Sequence, residues 1–302
     1  MTAAIIDGEA YADDLEREVA AEIAALADGG TRPGLATVVA GDDYGALMYE
    51  RRVRQVAERV GCYYVSERLP ADVDQHDAVA DIGKLDADPR ISGILVLRPL
   101  PAHISELALY RALTPLKDIE AVHPINAGLL ALGMPRFVPS TPASVFQLLD
   151  RYYRDTNRDP DDVLGRSLMV VVGRSNNVGK STVLLGFARG ATVISCDVST
   201  YKAGVLYDLT RQADILVSAT GAPGLIGGDH VKDGVVAIDV GINPVPDPRT
   251  GRTRLTGDLD FDSVAARAEA ITPVPGGVGP VTDIWLLRTT VKAAKLQAAQ
   301  DG

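Results

Sequence analysis

Cysteine is scarce: the 302 residues include two, Cys62 and Cys196, far apart and outside any C-x-x-C spacing. That excludes a disulfide framework or a thiolate zinc site, and predicts two reduced, buried thiols. Histidine is also sparse, with four residues and no ligand spacing, so no metal site is expected and His103 and His123 read as loop residues. No run of about 20 apolar residues occurs, and no signal-peptide pattern follows "MTAAIIDGEA", so the chain is expected in the cytoplasm and off the membrane. Basic residues are outnumbered, 30 against 40 acidic ones, for a net charge of −10. A duplex nucleic acid partner needs basic surface to displace phosphate counterions, and the one basic cluster, "ERRVR" (Glu50 to Arg54), reads as a solvated helix face.

What is present is alternation. A single core rarely grows beyond about 250 residues, so this length predicts two domains. In the first half a helical "YADDLEREVAAEIAAL" precedes the apolar "GLATVVAG", the helical "LMYERRVRQVAERVG", then "CYYVSERL" and "ISGILVLR". That order predicts a parallel sheet with crossover helices. In "PSTPAS", Thr141 and Pro142 read as the N-cap and first-turn proline of the next helix, near a hinge. From Ser167 five apolar runs follow: "SLMVVVG", "ATVISCD", "ADILVSATG", "GVVAIDVG" and "AEAITPV". Spaced by helices and turns, they predict a doubly wound, Rossmann-like sheet. The last helix is expected over "TDIWLLRTTVKAAKLQAA", packed back on the first domain.

Between the first two of those runs lies "GRSNNVGKST", whose end resembles an ATP-binding loop. That loop has four residues between its glycines; Gly173 and Gly179 enclose five, one too many for its phosphate cradle. A strand, two glycines and a helix start are the parts of a dinucleotide turn, although a purely structural turn fits them as well. Asp197, ending the next strand, sits about 20 residues on, where a carboxylate accepts hydrogen bonds from the adenosine ribose and repels a 2′-phosphate. NAD is therefore expected over NADP; the alternative is an aspartate that caps the next turn.

Several stretches in order over nearly the whole chain then resemble the bifunctional methylenetetrahydrofolate dehydrogenase and methenyltetrahydrofolate cyclohydrolase family. They are "GDD" at Gly41, "GILV…PLPAHI", "KDIEAVHPINAG", "PSTPAS", "VVVGRSNNVGKS", "ADILVSATGAPGLI", "AIDVGIN" and "ITPVPGGVGPVT". The resemblance implies a homodimer of two-domain α/β subunits, with a substrate domain over 1–142 and 276–302, a nicotinamide domain over 143–275, and a cleft between them. It implies a tetrahydrofolate substrate, with Tyr49, Pro99, Leu100, Glu120, Gly276 and Gly277 at the folate. It also implies Gly173, Arg174, Ser175, Val178, Gly179, Asp197, Thr220, Gly221, Gly241 and Ile242 at the nicotinamide cofactor, NAD or NADP.

Three catalytic positions of the family pattern are altered. The lysine of Y-x-x-x-K is Val53, four residues after Tyr49 and so on its helix face, where it reads equally as part of a core stripe with Val56 and Val60. The glutamine after "GILV" is Leu97, followed by Arg98, and the aspartate of the "KD" motif is Glu120. Ser181 and Asn177 also depart from the family loop. Asp283 stands where the family is apolar, either facing the cleft to meet a cationic group or capping the last helix. Arg52, Arg54 or Arg98 could replace the lysine's charge, but a guanidinium stays protonated and relays protons poorly. The expectation is a dehydrogenase with cyclohydrolase activity lost or weak. Two rivals stand beside it: a repurposed cleft acting on a formyl, formimino or methenyl group without hydride transfer, and a non-catalytic folate- or nucleotide-binding homologue.

Overall fold

The computed structural model describes residues 3–246 and 253–301. In chain order its strands are β1 (Ala4–Ile5), β2 (Gly34–Ala40), β3 (Tyr63–Leu69), β4 (Gly93–Val96), β5 (Leu168–Val172), β6 (Thr192–Cys196), β7 (Ile215–Ser218), β8 (Val236–Asp239), β9 (Asn243–Pro246), β10 (Thr253–Thr256) and β11 (Ala270–Ile271). They fall into two compact units, Asp13–Ser140 with Asp283–Gly302, and Met1–Ala12 with Thr141–Thr282.

The unit around Asp13–Ser140 is built on a three-stranded parallel sheet of order β3-β2-β4. Buried on both faces, central β2 is apolar throughout except for Thr37. Ala36, Val38 and Ala40 of β2 join Ile82 and Leu85 of the helix Gln75–Ala87 in one core. The helix Tyr44–Arg59 forms because its buried residues Ala46, Glu50, Val53, Val56 and Ala57 recur every three or four positions. Asp43 caps it by accepting from the Ala46 amide, 2.9 Å. Gly61 ends it at φ 79°, the left-handed conformation that glycine adopts without a Cβ clash.

The other unit holds a six-stranded, all-parallel sheet of order β1-β11-β8-β7-β5-β6, and the antiparallel pair β9-β10. The five expected runs are β5, β6, β7, β8 and β11. The sixth strand, β1, comes from the N-terminus, tied by the Ala4 amide to Glu269 O (2.8 Å) and the Ile6 amide to Ile271 O (2.9 Å). Residues 3–12 and 276–282 therefore group with this sheet, whereas the sequence reading placed them in the substrate domain. Two residues are too short a run to announce a strand.

Two helix starts also differ from expectation. Thr141 is not an N-cap, because the helix is already under way at Ser140 and runs to Asp155. The last helix spans Val278–Asp301, beginning before Thr282, with Pro280 tolerated in its first turn. Asp283 is consequently inside the helix and does not cap it. Both cysteines are buried and unpaired.

Two glycines test this packing. A Cβ on Gly34 would lie 1.9 Å from the backbone oxygen of Arg90, whereas one on the helical Gly83 would meet nothing within 4 Å. Gly34→Ala should cost about 1–3 kcal/mol in urea unfolding, and Gly83→Ala should gain about 0.5–1 kcal/mol. Equal effects would contradict the close β2 approach.

Candidate functional site

The sequence-predicted residues form two groups, one in each unit. The first gathers around Tyr49, half-buried on the helix Tyr44–Arg59. Val53, one turn further, is fully buried, and Leu97, just after β4, is 4% exposed. Neither carries a polar atom. Leu100 packs against the core, and Pro99 is exposed.

Glu120 is delivered by a loop that Asp118 organises. Backbone pairing of Ile94 with Lys117 (2.8 Å) lays this loop beside β4. Asp118, fully buried, accepts from the amides of Val122 (3.0 Å) and His123 (2.8 Å) and from Asn126 Nδ2 (2.8 Å). Most of the "KDIEAVHPIN" stretch is thus scaffold, and Glu120 is the side chain it presents. Glu120 Oε1 accepts from the Ser140 amide (2.9 Å) and the Ser140 hydroxyl, capping the helix Ser140–Asp155 from a separate element. Burial nevertheless pushes the Glu120 carboxyl up to about 7, against the Ser140 hydrogen bonds that lower it.

The basic cluster divides by role. Arg54 is bound to the buried Glu50 (2.6 Å), and Arg98 turns to the Tyr110 hydroxyl and to Glu106 (3.0 Å). Arg52 alone of these three lies over the Tyr49 ring, 5.2 Å from its centroid, with its Nε 2.6 Å from Asp283 Oδ2. Arg51 and Arg52 are exposed, as a solvated face requires, but Glu50 is buried. Asp283 is 5% exposed, and its Oδ1 receives no hydrogen bond. Burial raises its carboxyl to about 6, opposed by Arg52 and Arg59. The Tyr49 phenol is held well above its usual range by burial first, then by the Asp283 and Glu120 charges, with Arg52 opposing. Tyr49, Arg52, Glu120 and Asp283 therefore share one electrostatic environment.

The second group lies along the carboxyl ends of β5 to β8, where a doubly wound sheet binds ligands. Gly173 (φ 117°) and Gly179 interlock there: a Cβ on the former would be 2.1 Å from Ala219 O, and on the latter 2.0 Å from Gly173 O. The following Asn176–Lys180 is a π-helical turn, and a regular helix starts at Ser181. Ser175 and Arg174 are exposed and Val178 half-buried. Asp197 fills its capping reading and also binds an arginine. Its Oδ1 accepts from the Ser199 (3.0 Å) and Thr200 (3.1 Å) amides at a helix start, while Oδ2 takes Arg174 Nη1 at 2.8 Å. The Thr200 amide, the Arg174 charge and the Ser199 amide hold its carboxyl below the usual range.

Two carboxylates that the sequence reading passed over hold the remaining loops. Asp258, fully buried, accepts from the amide of Thr220 (2.5 Å), the hydroxyl of Ser218 (3.2 Å) and Asn243 Nδ2 (2.9 Å). Asp239 accepts from the amides of Gly241 (3.0 Å), Asp258 (3.0 Å) and Leu259 (2.8 Å). Gly241 touches Asp258, where a Cβ would meet Oδ1 at 2.1 Å, and Gly257 touches Asp239 in the same way. Thr220, Gly221 (φ 69°), Gly241 and the exposed Ile242 are so presented on two loops cross-tied from below. Gly276 and Gly277 belong to this unit. The room at Gly277 is filled by the chain itself: a Cβ there would be 2.5 Å from Pro273 O, and a Cβ on Gly8 only 1.8 Å from Gly277 O. "GDLD" and "AIDVG" carried the signal for both carboxylates, but buried acids look like surface ones until their donors are known.

Comparison with known proteins matches both units. Residues 6–120 match the family "Tetrahydrofolate dehydrogenase/cyclohydrolase, catalytic domain", and residues 139–298 its "NAD(P)-binding domain". The chain is 61% identical over 301 residues to a Rubrobacter xylanophilus protein named "Bifunctional protein FolD 3", covering 99% of this chain and 95% of that one. It is 44% identical to the "Bifunctional protein FolD" of Bordetella avium, covering 98% of each. Among solved structures, the Trypanosoma brucei methylenetetrahydrofolate dehydrogenase-cyclohydrolase complexed with NADP and an inhibitor matches with a TM-score of 0.90 at 36% identity, covering 99% of each chain.

The Glu120 carboxyl gives a pH test. Its folded pKa, about 7, lies above its ordinary 4.5, so the folded state holds the proton more tightly. The stability this contributes is present below about pH 4.5 and is lost as pH rises through about 7. The thermal midpoint of wild type minus that of Glu120→Gln should therefore fall across that window. A flat difference would place Glu120 in a more solvated setting.

Proposed function

Because the chain belongs to the tetrahydrofolate dehydrogenase/cyclohydrolase family, we propose that it oxidises 5,10-methylenetetrahydrofolate with NAD and hydrolyses the methenyl product slowly or not at all. The observation that carries this reading is the makeup of the Tyr49 site, where the family's lysine and glutamine positions hold the buried Val53 and Leu97.

The two half-reactions of the family make different demands. Oxidation removes a hydride from the one-carbon unit and leaves a cation that the folate's own two nitrogens stabilise, so the protein's task is alignment. Tyr49 and Glu120 would position the pterin in this reading, with the Glu120 carboxylate accepting from its amino and ring N–H groups. Hydrolysis adds water to the methenyl carbon and needs a group that takes its proton and delivers one to nitrogen. Val53 and Leu97 cannot do so, and Arg52 stays charged. Of the two carboxyls whose charge acts on Tyr49, Glu120 is engaged by Ser140, and Asp283 is shielded from solvent and paired with Arg52.

The nicotinamide cofactor, when bound, accepts the hydride. The residues present fit it: the turn after β5, the loops bearing Thr220, Gly221, Gly241 and Ile242, and the ordered Asp197 lie along the carboxyl edge of one parallel sheet. NAD is favoured because Arg174, the cation nearest to meet a 2′-phosphate, is already tied to Asp197 and to Ser195 O (2.8 Å). A 2′-phosphate would confront that carboxylate.

Initial rates of reduced-nicotinamide formation from 5,10-methylenetetrahydrofolate test this. NAD should exceed NADP in kcat/KM by about tenfold or more, and Asp197→Ser, which frees Arg174, should narrow the gap. A tenfold preference for NADP would overturn the cofactor assignment. No reduction with either cofactor would overturn the dehydrogenase reading and favour a site repurposed for formyl, formimino or methenyl groups.

A further inference from the structure

Asp283 is a carboxylate without an evident structural duty. It does not cap a helix, it is 5% exposed, and one of its two oxygens has no donor. Buried acceptors are nearly always satisfied, and an exception in a native protein points to a role or a missing partner. Its other oxygen is bound to Arg52, whose guanidinium lies over Tyr49. The further charges that act here are Arg59, on Asp283, and Glu120, on Tyr49.

We propose that Arg52 and Asp283 form a charge-balancing pair that makes the Tyr49 site discriminate in favour of the cationic, amidinium form of the bound one-carbon unit. This rests on the folate reading above and adds to it the group that sets the site's charge. Hydride loss turns a neutral methylene bridge into a methenyl cation of nearly the same shape, so the two ligands differ chiefly in one positive charge. With an apolar residue at position 53, the fixed cation beside Tyr49 is Arg52. Alone it would oppose the developing charge. Asp283 cancels that opposition, and the oxygen left without a donor faces the cation with uncompensated negative potential. The pair works through space and through the position of the guanidinium; Asp283 is a positioning residue, with no proton transferred.

The test measures binding of 5,10-methylenetetrahydrofolate and 5,10-methenyltetrahydrofolate to the full chain by quenching of its fluorescence. Readings are taken within seconds of mixing, above the pH at which Asp283 titrates. Asp283→Asn leaves an unopposed guanidinium and should lower the methenyl-to-methylene affinity ratio about tenfold. Arg52→Leu leaves the carboxylate with only the weaker opposition of Arg59 and should move the ratio the other way. The double variant, carrying neither charge, should return to within about threefold of wild type. It also serves if one single variant fails to fold. A merely structural pair would weaken both ligands alike or move the ratio in the same direction in both variants, and that result overturns the proposal while leaving the folate reading standing. Binding of neither ligand by wild type would instead remove the folate reading itself.

Discussion

A carboxylate taken out of water by a helix is tolerable only with a cation on it or a proton in it. The helix Val278–Asp301 imposes that condition on Asp283, and Arg52 meets half of it. The electrostatics around Tyr49 depend on where this places the guanidinium. Held over Tyr49, Arg52 supplies a permanent positive charge to the phenol's surroundings, while its neighbours Arg54 and Arg98 pair with Glu50 and Glu106, Arg98 also acting on Glu120. The side chains around Tyr49 thus include a fixed cation, Arg52, and two carboxyls whose pKa burial raises, Glu120 and Asp283.

The same economy of donors organises the loops. Asp118 folds the segment that presents Glu120, and Asp239 and Asp258 cross-tie the loops after β7 and β8. In each case a buried acid is surrounded by amides that would otherwise lack acceptors, so the acid and the backbone conformation stabilise one another. The nicotinamide-side residues then need little of their own: small side chains at positive φ, and one exposed aliphatic, Ile242. Mixed sequence motifs of this kind consist mostly of scaffold, with a minority of positions facing a ligand.

How much was legible follows from how each feature encodes itself. Strands β2, β4, β5, β7 and β8 are largely apolar runs, and the helix Tyr44–Arg59 has a regular apolar stripe, so periodicity found them. Strand β1 is two residues long and is a strand only because β11 lies beside it. The N-terminus of the helix Ser140–Asp155 was misplaced because its cap, Glu120, lies 20 residues away in sequence. Val53 could be placed on the helix face of Tyr49 from its spacing, but which arginine lies over that ring depended on three-dimensional partners. Asp197 was assigned two competing roles from sequence, and its partners answer one of them: Oδ1 caps a helix, while Oδ2 binds Arg174, a partner the sequence did not announce.

The central claim is that this site lacks a working proton relay, and the decay of added 5,10-methenyltetrahydrofolate, followed by its absorbance with and without the protein, tests it most directly. The account predicts decay at the spontaneous rate, whatever nicotinamide is present. Hydrolysis well above that rate would contradict it, and would require Glu120 or Asp283 to carry the proton that Val53 cannot.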